Sequence, residues 1–315
     1  MIDKELRSAA FWVGLLVQPK PWSFKLMATV SKMGRNKQLD GFSSEEIEIP
    51  RTDGSPIRTR IFGPRQKSEK LPVLLFLHGG GYVFGAPEAF LPMIKDFLQA
   101  SPCIVVAPDY RKSLDAPYPA AIDDAYDTLL WIRNNAARLG VRDDQIMVGG
   151  PSAGGGLTAA LTLRARERGE VRIAFQMPLY PMIDDRMQTE SAINSNAPVW
   201  SSKHNTLGWQ LYLSDLNKRG ASIPQEAAPA RATNYSDLPP ALTFIGDIEI
   251  FRDETTAYVR NLQNAGVPVQ FEAFEGCFHG FDVVSPKSNA GKRARHFMLA
   301  GFKHAIGNYF APQDT

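Results

Sequence analysis

Cysteine is nearly absent from this chain of 315 residues. Cys103 and Cys277 alone cannot build a disulfide framework, and no C-x-x-C pair indicates a structural zinc site. A reduced, cytoplasmic setting is the expectation. A charge excess is missing too: 35 Lys and Arg stand against 33 Asp and Glu, a net charge of +2. That balance gives no electrostatic ground for nucleic-acid binding. Long apolar runs are lacking. The longest, Ala9 to Val17, has nine residues and is too short to span a bilayer. Asp3 and Glu5 cancel Lys4 and Arg7 ahead of it, and Gln18-Pro19-Lys20-Pro21 is a poor cleavage site for a signal peptide. The run reads as a helix docked on the same protein, a partner or a membrane surface. The first is expected, and stable membrane insertion is not. Neither G-x-x-x-x-G-K-[ST] nor G-x-G-x-x-G occurs, and there is no internal repeat or low-complexity tract.

What is present is an alternation of strand and helix patterns. Ile47 and Ile49, then Ile57, Thr59 and Ile61, alternate with polar residues, as in a half-exposed antiparallel pair at a sheet edge. Pro72 to Leu77 and Cys103 to Ala107 are continuously apolar, as in strands buried on both faces. Gln145 to Val148, Ile173 to Leu179, Ala241 to Ile245 and Val269 to Phe274 complete eight expected strands. Helical patterns cover Ala120 to Leu139, Gly154 to Arg168, Asp253 to Ala265 with Gly266 as C-terminal cap, and the stretch after Lys287. Strands alternating with helices imply an α/β fold, a mostly parallel sheet covered on both faces. Residues 1 to about 40 and 184 to 232 break the alternation. A structureless loop as long as the second is uncommon, so both are expected as helices over one end of the sheet.

Gly150-Pro151-Ser152-Ala153-Gly154 matches G-x-S-x-G. It follows an apolar strand and opens a helix, the setting of a nucleophile elbow. The flanking glycines allow a sharp turn, and the helix N-terminus favours negative charge beside the hydroxyl. The competing reading is a Gly-rich turn with no chemistry, or one that cradles a phosphate. The strand Pro72 to Leu77 ends in His78-Gly79-Gly80-Gly81-Tyr82. Such a loop lets backbone N–H groups approach a tetrahedral oxyanion, the role of the HGGG segment in lipases and esterases. A plain flexible glycine loop is the alternative.

The two segments together are more specific than either. With them, the chain resembles the hormone-sensitive-lipase-like (bacterial family IV) esterases of the α/β-hydrolase superfamily. The likeness lies in HGGGYVFG at 78–85, Asp109-Tyr110-Arg111 followed by Ala116-Pro117-Tyr118-Pro119-Ala120, PSAGGG at 151–156, Phe251-Arg252-Asp253-Glu254 and Phe278-His279-Gly280-Phe281. The resemblance implies an eight-stranded α/β-hydrolase fold with a helical cap. It implies a carboxylesterase for short- to medium-chain acyl esters. The oxyanion hole it implies is made by the N–H groups of Gly80, Gly81 and Ala153. Members commonly carry an acidic residue before the nucleophile, where this chain has Pro151.

A serine hydroxyl needs a base to take its proton. Among five histidines, His279 follows the last strand, where a loop can hang an imidazole over the elbow, and the resemblance falls on the same residue. His78 is expected to brace the glycine loop, and His296 and His304 to be surface residues of the last helix. The acid should follow the seventh strand, which leaves Asp247, Glu249 and Asp253. Matching the family's R-D-E to Arg252-Asp253-Glu254 implies Glu249 as the acid, with Asp247 second. Cys277 is read as a small packed residue.

The expected organisation is N-terminal cap helices at 1–43, hydrolase core at 44–183, a cap insert at 184–232 and the rest of the core at 233–315. The expected partner is a small-molecule ester, with a homodimer conceivable for this architecture and no metal or organic cofactor required. A non-catalytic ligand receptor of the same fold, or an amide or formamide hydrolase, are the alternatives.

Overall fold

The computed structural model describes residues 1–16, 18–35, 37–66 and 69–314. Eight strands form one sheet in the order β1-β2-β4-β3-β5-β6-β7-β8. They are β1 (Ser43–Pro50), β2 (Pro56–Gly63), β3 (Leu71–Phe76), β4 (Ile104–Pro108), β5 (Val141–Pro151), β6 (Phe175–Leu179), β7 (Ala241–Gly246) and β8 (Val269–Phe274). Each coincides with an expected strand. β1, β2 and β4 pair antiparallel, and β4, β3, β5, β6, β7 and β8 run parallel. Every residue of β3, β4, β6 and β7 is buried. Successive side chains of a strand point to opposite faces, so both faces of the sheet are covered. β1 is mostly exposed, as befits the edge.

The helices are α1 (Arg7–Leu16), α2 (Pro21–Met33), α3 (Leu91–Ala100), α4 (Ala120–Asn134), α5 (Ala136–Leu139), α6 (Ala153–Arg168), α7 (Ser202–Tyr212), α8 (Ser214–Lys218), α9 (Arg252–Asn264), α10 (Phe281–Val284) and α11 (Asn289–Asn308). α3 packs against α11, and α4 against α6. Gly266 stands at φ +80° just after α9, the left-handed position expected of a C-terminal cap.

Four features depart from the expectations. α3 was not anticipated from the sequence. The single helix expected over 120–139 is two, because Asn135 turns out of helical geometry and its side chain donates to Trp131 O at 2.9 Å. Within 184–232, α7 and α8 are helical, but 184–201 is held by turns and side-chain bonds. Ser191 Oγ donates to Ile250 O at 2.8 Å, and Ser191 N–H to Asp253 Oδ2 at 2.8 Å. The apolar run meets its own protein through Ala10, which is buried, and Ala9, which is half-buried against the core. Phe11, Trp12 and Leu15 face solvent, and Val17 lies outside the described residues.

Chain order in the sheet reverses between β3 and β5: β4 lies on one side of β3 and β5 on the other. Open α/β sheets bind ligands at the carboxyl ends of strands beside such a switch. The loops after β3 and β5 carry the glycine segment and Ser152.

Candidate active site

Ser152 stands between β5 and α6 with φ 58° and ψ −122°, a backbone conformation rare for a residue with a side chain. Its amide donates to Leu179 O at 2.9 Å and its carbonyl accepts from Met182 N at 3.1 Å. The surrounding chain therefore holds the strain in place. The two glycines of G-x-S-x-G are required by close approach. A Cβ on either Gly150 or Gly154 would sit 1.9 Å from Leu77 O. Pro151 ends β5 paired beside Leu179, so the proline is accommodated within the strand.

The glycine loop after β3 lies against this turn. Gly79 lies so near that a Cβ would meet Pro151 O at 3.0 Å, and Gly80 takes φ +128°, which only glycine adopts readily. Among the described residues, no acceptor takes the backbone N–H of Gly80, Gly81 or Ala153. Gly80 and Gly81 line the same cavity as Ser152. His78 braces the loop as expected: Nδ1 lies 2.9 Å from Gly79 O, and the ring stacks on Tyr110 at 4.1 Å. Complete burial lowers its pKa to about 3, so the imidazole is neutral at ordinary pH.

His279 arrives from the loop after β8 and Glu249 from the turn after β7. These loops meet because their strands are parallel neighbours and their backbones continue to bond. Asp247 N–H donates to Phe274 O at 3.0 Å, and Ile248 N–H to Cys277 O at 3.3 Å. His279 Nε2 lies 2.8 Å from Ser152 Oγ, and His279 Nδ1 lies 2.5 Å from Glu249 Oε2. Glu249 Oε1 accepts from Gly246 N–H at 3.0 Å. Ser152, His279 and Glu249 are all buried, at 8, 5 and 2 % exposure, so little bulk water screens the chain between them.

The other acid candidates face elsewhere. Asp247 Oδ1 accepts from Gly276 N–H at 2.7 Å, tying the two loops together. Asp253 pairs with Arg252 and accepts from Ser191 N–H in the first turn of α9. Cys277 is fully buried, and burial pushes its thiol up to about 12, which suits a packed residue rather than a nucleophile. His296 and His304 are exposed on α11.

Several contributors reach the site through tertiary contacts. The rings of Tyr180 and Phe251 stand nearly perpendicular to the His279 ring, at 5.2 and 5.0 Å between centroids. Phe84, Phe90, Val199 and Trp200 help line a cavity of about 150 Å³ over Ser152. Trp200 comes from the irregular part of the insert and closes over Gly81, where a Cβ would meet its ring at 2.3 Å. Nothing short of the folded chain places these residues together. The arrangement can activate a hydroxyl, orient the imidazole that accepts its proton, and offer amides to developing negative charge.

Comparison with known proteins gives the family. A model of the alpha/beta hydrolase fold family matches residues 74–283. Esterase LipI of Mycobacterium tuberculosis is 34% identical over 229 residues, which cover 72% of this chain and 71% of that protein. Carboxylesterase NlhH of the same species is 31% identical over 253 residues, 79% of each. Among solved structures, a bacterial heroin esterase matches with a TM-score of 0.88 and 30% identity, covering 97% of this chain and 98% of that one. The chain belongs to the α/β-hydrolase fold family. Within it, the chain is a member of the hormone-sensitive-lipase-like esterases.

Proposed function

We propose that the protein is a carboxylesterase acting on short- to medium-chain acyl esters through a Ser152–His279–Glu249 triad. The observation that carries this reading is the unbroken contact from Ser152 Oγ through both nitrogens of His279 to Glu249. Ser152 Oγ attacks the ester carbonyl as His279 Nε2 takes its proton. Glu249 holds the tautomer with the proton on Nδ1 and stabilises the imidazolium that forms. The N–H groups of Gly80, Gly81 and Ala153 receive the oxyanion, each worth about 10²- to 10³-fold in rate where such donors have been removed elsewhere. The C–O bond to the alcohol breaks as His279 returns the proton to that oxygen. Water, deprotonated by the same imidazole, then attacks the acyl-serine and releases the acid. The elements at 1–43 and 184–232 act as a cap over the core, and the aromatic walls exclude water from the reacting carbon. The cavity of about 150 Å³ favours a small group at that carbon.

The test is hydrolysis of p-nitrophenyl esters of graded chain length by the native protein and Ser152→Ala. The native protein should turn over the shorter esters, and the variant should lose about 10⁶-fold in kcat. Equal turnover by both would remove Ser152 from the chemistry. Tight binding without turnover by the native protein would make it a ligand receptor, and faster cleavage of matched amides would reassign the substrate class.

A further inference from the structure

The N-terminal helices have an outer face that the ester chemistry does not use. On α2, Trp22, Leu26 and Val30 recur every four residues with Met33 beyond them, and all are exposed. The opposite face carries the buried Phe24, whose ring stacks on Trp200 of the site wall at 5.8 Å. Leu6, just before α1, and Ala10 within it lead the inward side, while Phe11, Trp12 and Leu15 of α1 are 65, 59 and 61 % exposed. Monomeric proteins seldom leave so many large apolar side chains in water without a use for them.

Charge says what the face meets. From Leu6 to Leu39 the sequence has six Lys and Arg and no Asp or Glu, although the whole chain is only +2. Arg7, Lys20, Lys25 and Lys37 are exposed. Of the anions nearby, Asp115 is exposed and lines a cavity with Lys25 and Arg35, and the others are engaged or flank the segment. Asp109 binds Arg35, Glu5 binds Asn289, Asp3 accepts from Glu5 N–H, and Asp40 follows the run. A symmetric dimer through this face would set a cationic segment against its own copy. An anionic lipid surface needs no matching shape. It takes indole and aliphatic side chains at the headgroup boundary and cations against the headgroups.

We infer that α1 and α2 dock this protein on anionic lipid surfaces, without spanning them. No helix among the described residues is long and apolar enough to cross a membrane. This inference does not rest on the roles proposed for Ser152, His279 and Glu249, and its readout is binding.

The full chain is sedimented with vesicles of phosphatidylcholine alone, or of phosphatidylcholine and phosphatidylglycerol in equal parts. The partition coefficient should be about tenfold or more higher on the mixed vesicles and should collapse in high salt. Tryptophan emission should shift to the blue on binding. A Trp12→Glu, Trp22→Glu, Leu26→Glu variant with unchanged thermal unfolding should lose binding to both vesicle types. Charge reversal by Lys20→Glu and Lys25→Glu should remove only the preference for the anionic lipid. Absence of binding, equal binding to both vesicles, or binding retained by the triple variant would overturn the inference. So would a native dimer that the triple variant dissociates, which would assign the face to a second copy.

Discussion

The loops at the carboxyl ends of β3, β5, β7 and β8 and the two N-terminal helices are built on opposite principles. In the loops, the turn that carries Ser152 and the ring of His279 are closely packed. A methyl group on Gly150 or Gly154 would collide with Leu77 O, and both nitrogens of His279 are in contact. In α1 and α2, the inward face is narrow and the outward face is open. Gly14 has nothing within 4 Å of a would-be Cβ. The same chain thus contains a region whose geometry is over-determined by tertiary contacts and another defined chiefly by helical periodicity and charge. Rigid positioning serves the chemistry of the first, and an adaptable surface suits the second.

The sharpest way to break that comparison is to perturb one contact in the dense region and its near neighbour. Glu249→Gln should cut kcat by about 10⁴-fold, because the amide no longer favours the catalytic tautomer or stabilises the imidazolium. Asp247→Asn, two residues away, should leave kcat within about tenfold, since Asp247 bonds to Gly276 N–H and not to the imidazole. The reverse ranking in steady-state kinetics would move the acid to Asp247.

Glycine replacements compare the regions directly. Gly154→Ala forces a Cβ against the carbonyls of Leu77 and His78, which are backbone and cannot swing away. Equilibrium denaturation should show a loss of about 3 kcal/mol. Gly14→Ala meets open space on a helix and should stabilise by up to about 1 kcal/mol. Equal effects at the two positions would mean that the regions do not differ in packing.

A smaller effect follows from burial within the dense region. Asp282 in α10 is fully enclosed, and burial raises its carboxyl to about 6. Its Oδ2 meets Tyr180 Oη at 3.4 Å, and Oδ1 has no partner among the described residues. Between the ordinary carboxylate range and about 6, the folded protein holds a proton that the unfolded chain releases. Stability from this group therefore falls as pH rises through that window and stays lost above it. Asp282→Asn should raise unfolding stability near pH 8 by on the order of 2 kcal/mol, with little change near pH 4. A stability difference independent of pH would contradict this assignment.

Most of the dense region was legible in the sequence. Continuous apolar runs mark β3 and β4, and the strand–turn–helix setting marks Ser152. The position of His279 after the last strand singled it out from the other histidines. The acid was less so. Three carboxylates fall within seven residues at 247–253, and local pattern alone does not say which one reaches an imidazole thirty positions later. Family resemblance pointed to Glu249, and the folded geometry sets it beside His279. Tyr180 and Asp282 escaped sequence reading because their roles arise from long-range contacts, without periodicity or motif, and nothing in the matched segment at Phe251 announces its contact with the His279 ring. Residues 184–201 escaped for a related reason: side chains such as Ser191, bonded to the α9 region, order them. For α1, the length of the apolar run was readable, but not which side of it would be covered.

The most direct test of the central claim is covalent labelling with diethyl p-nitrophenyl phosphate, followed by intact-mass analysis and peptide mapping. Serine attack at phosphorus expels p-nitrophenolate and leaves a stable diethylphosphoryl ester. The expected result is one adduct per chain, on Ser152, appearing in step with loss of esterase activity and suppressed by His279→Ala. Full inactivation with Ser152 unmodified, or turnover that persists after Ser152 is fully labelled, would contradict the account.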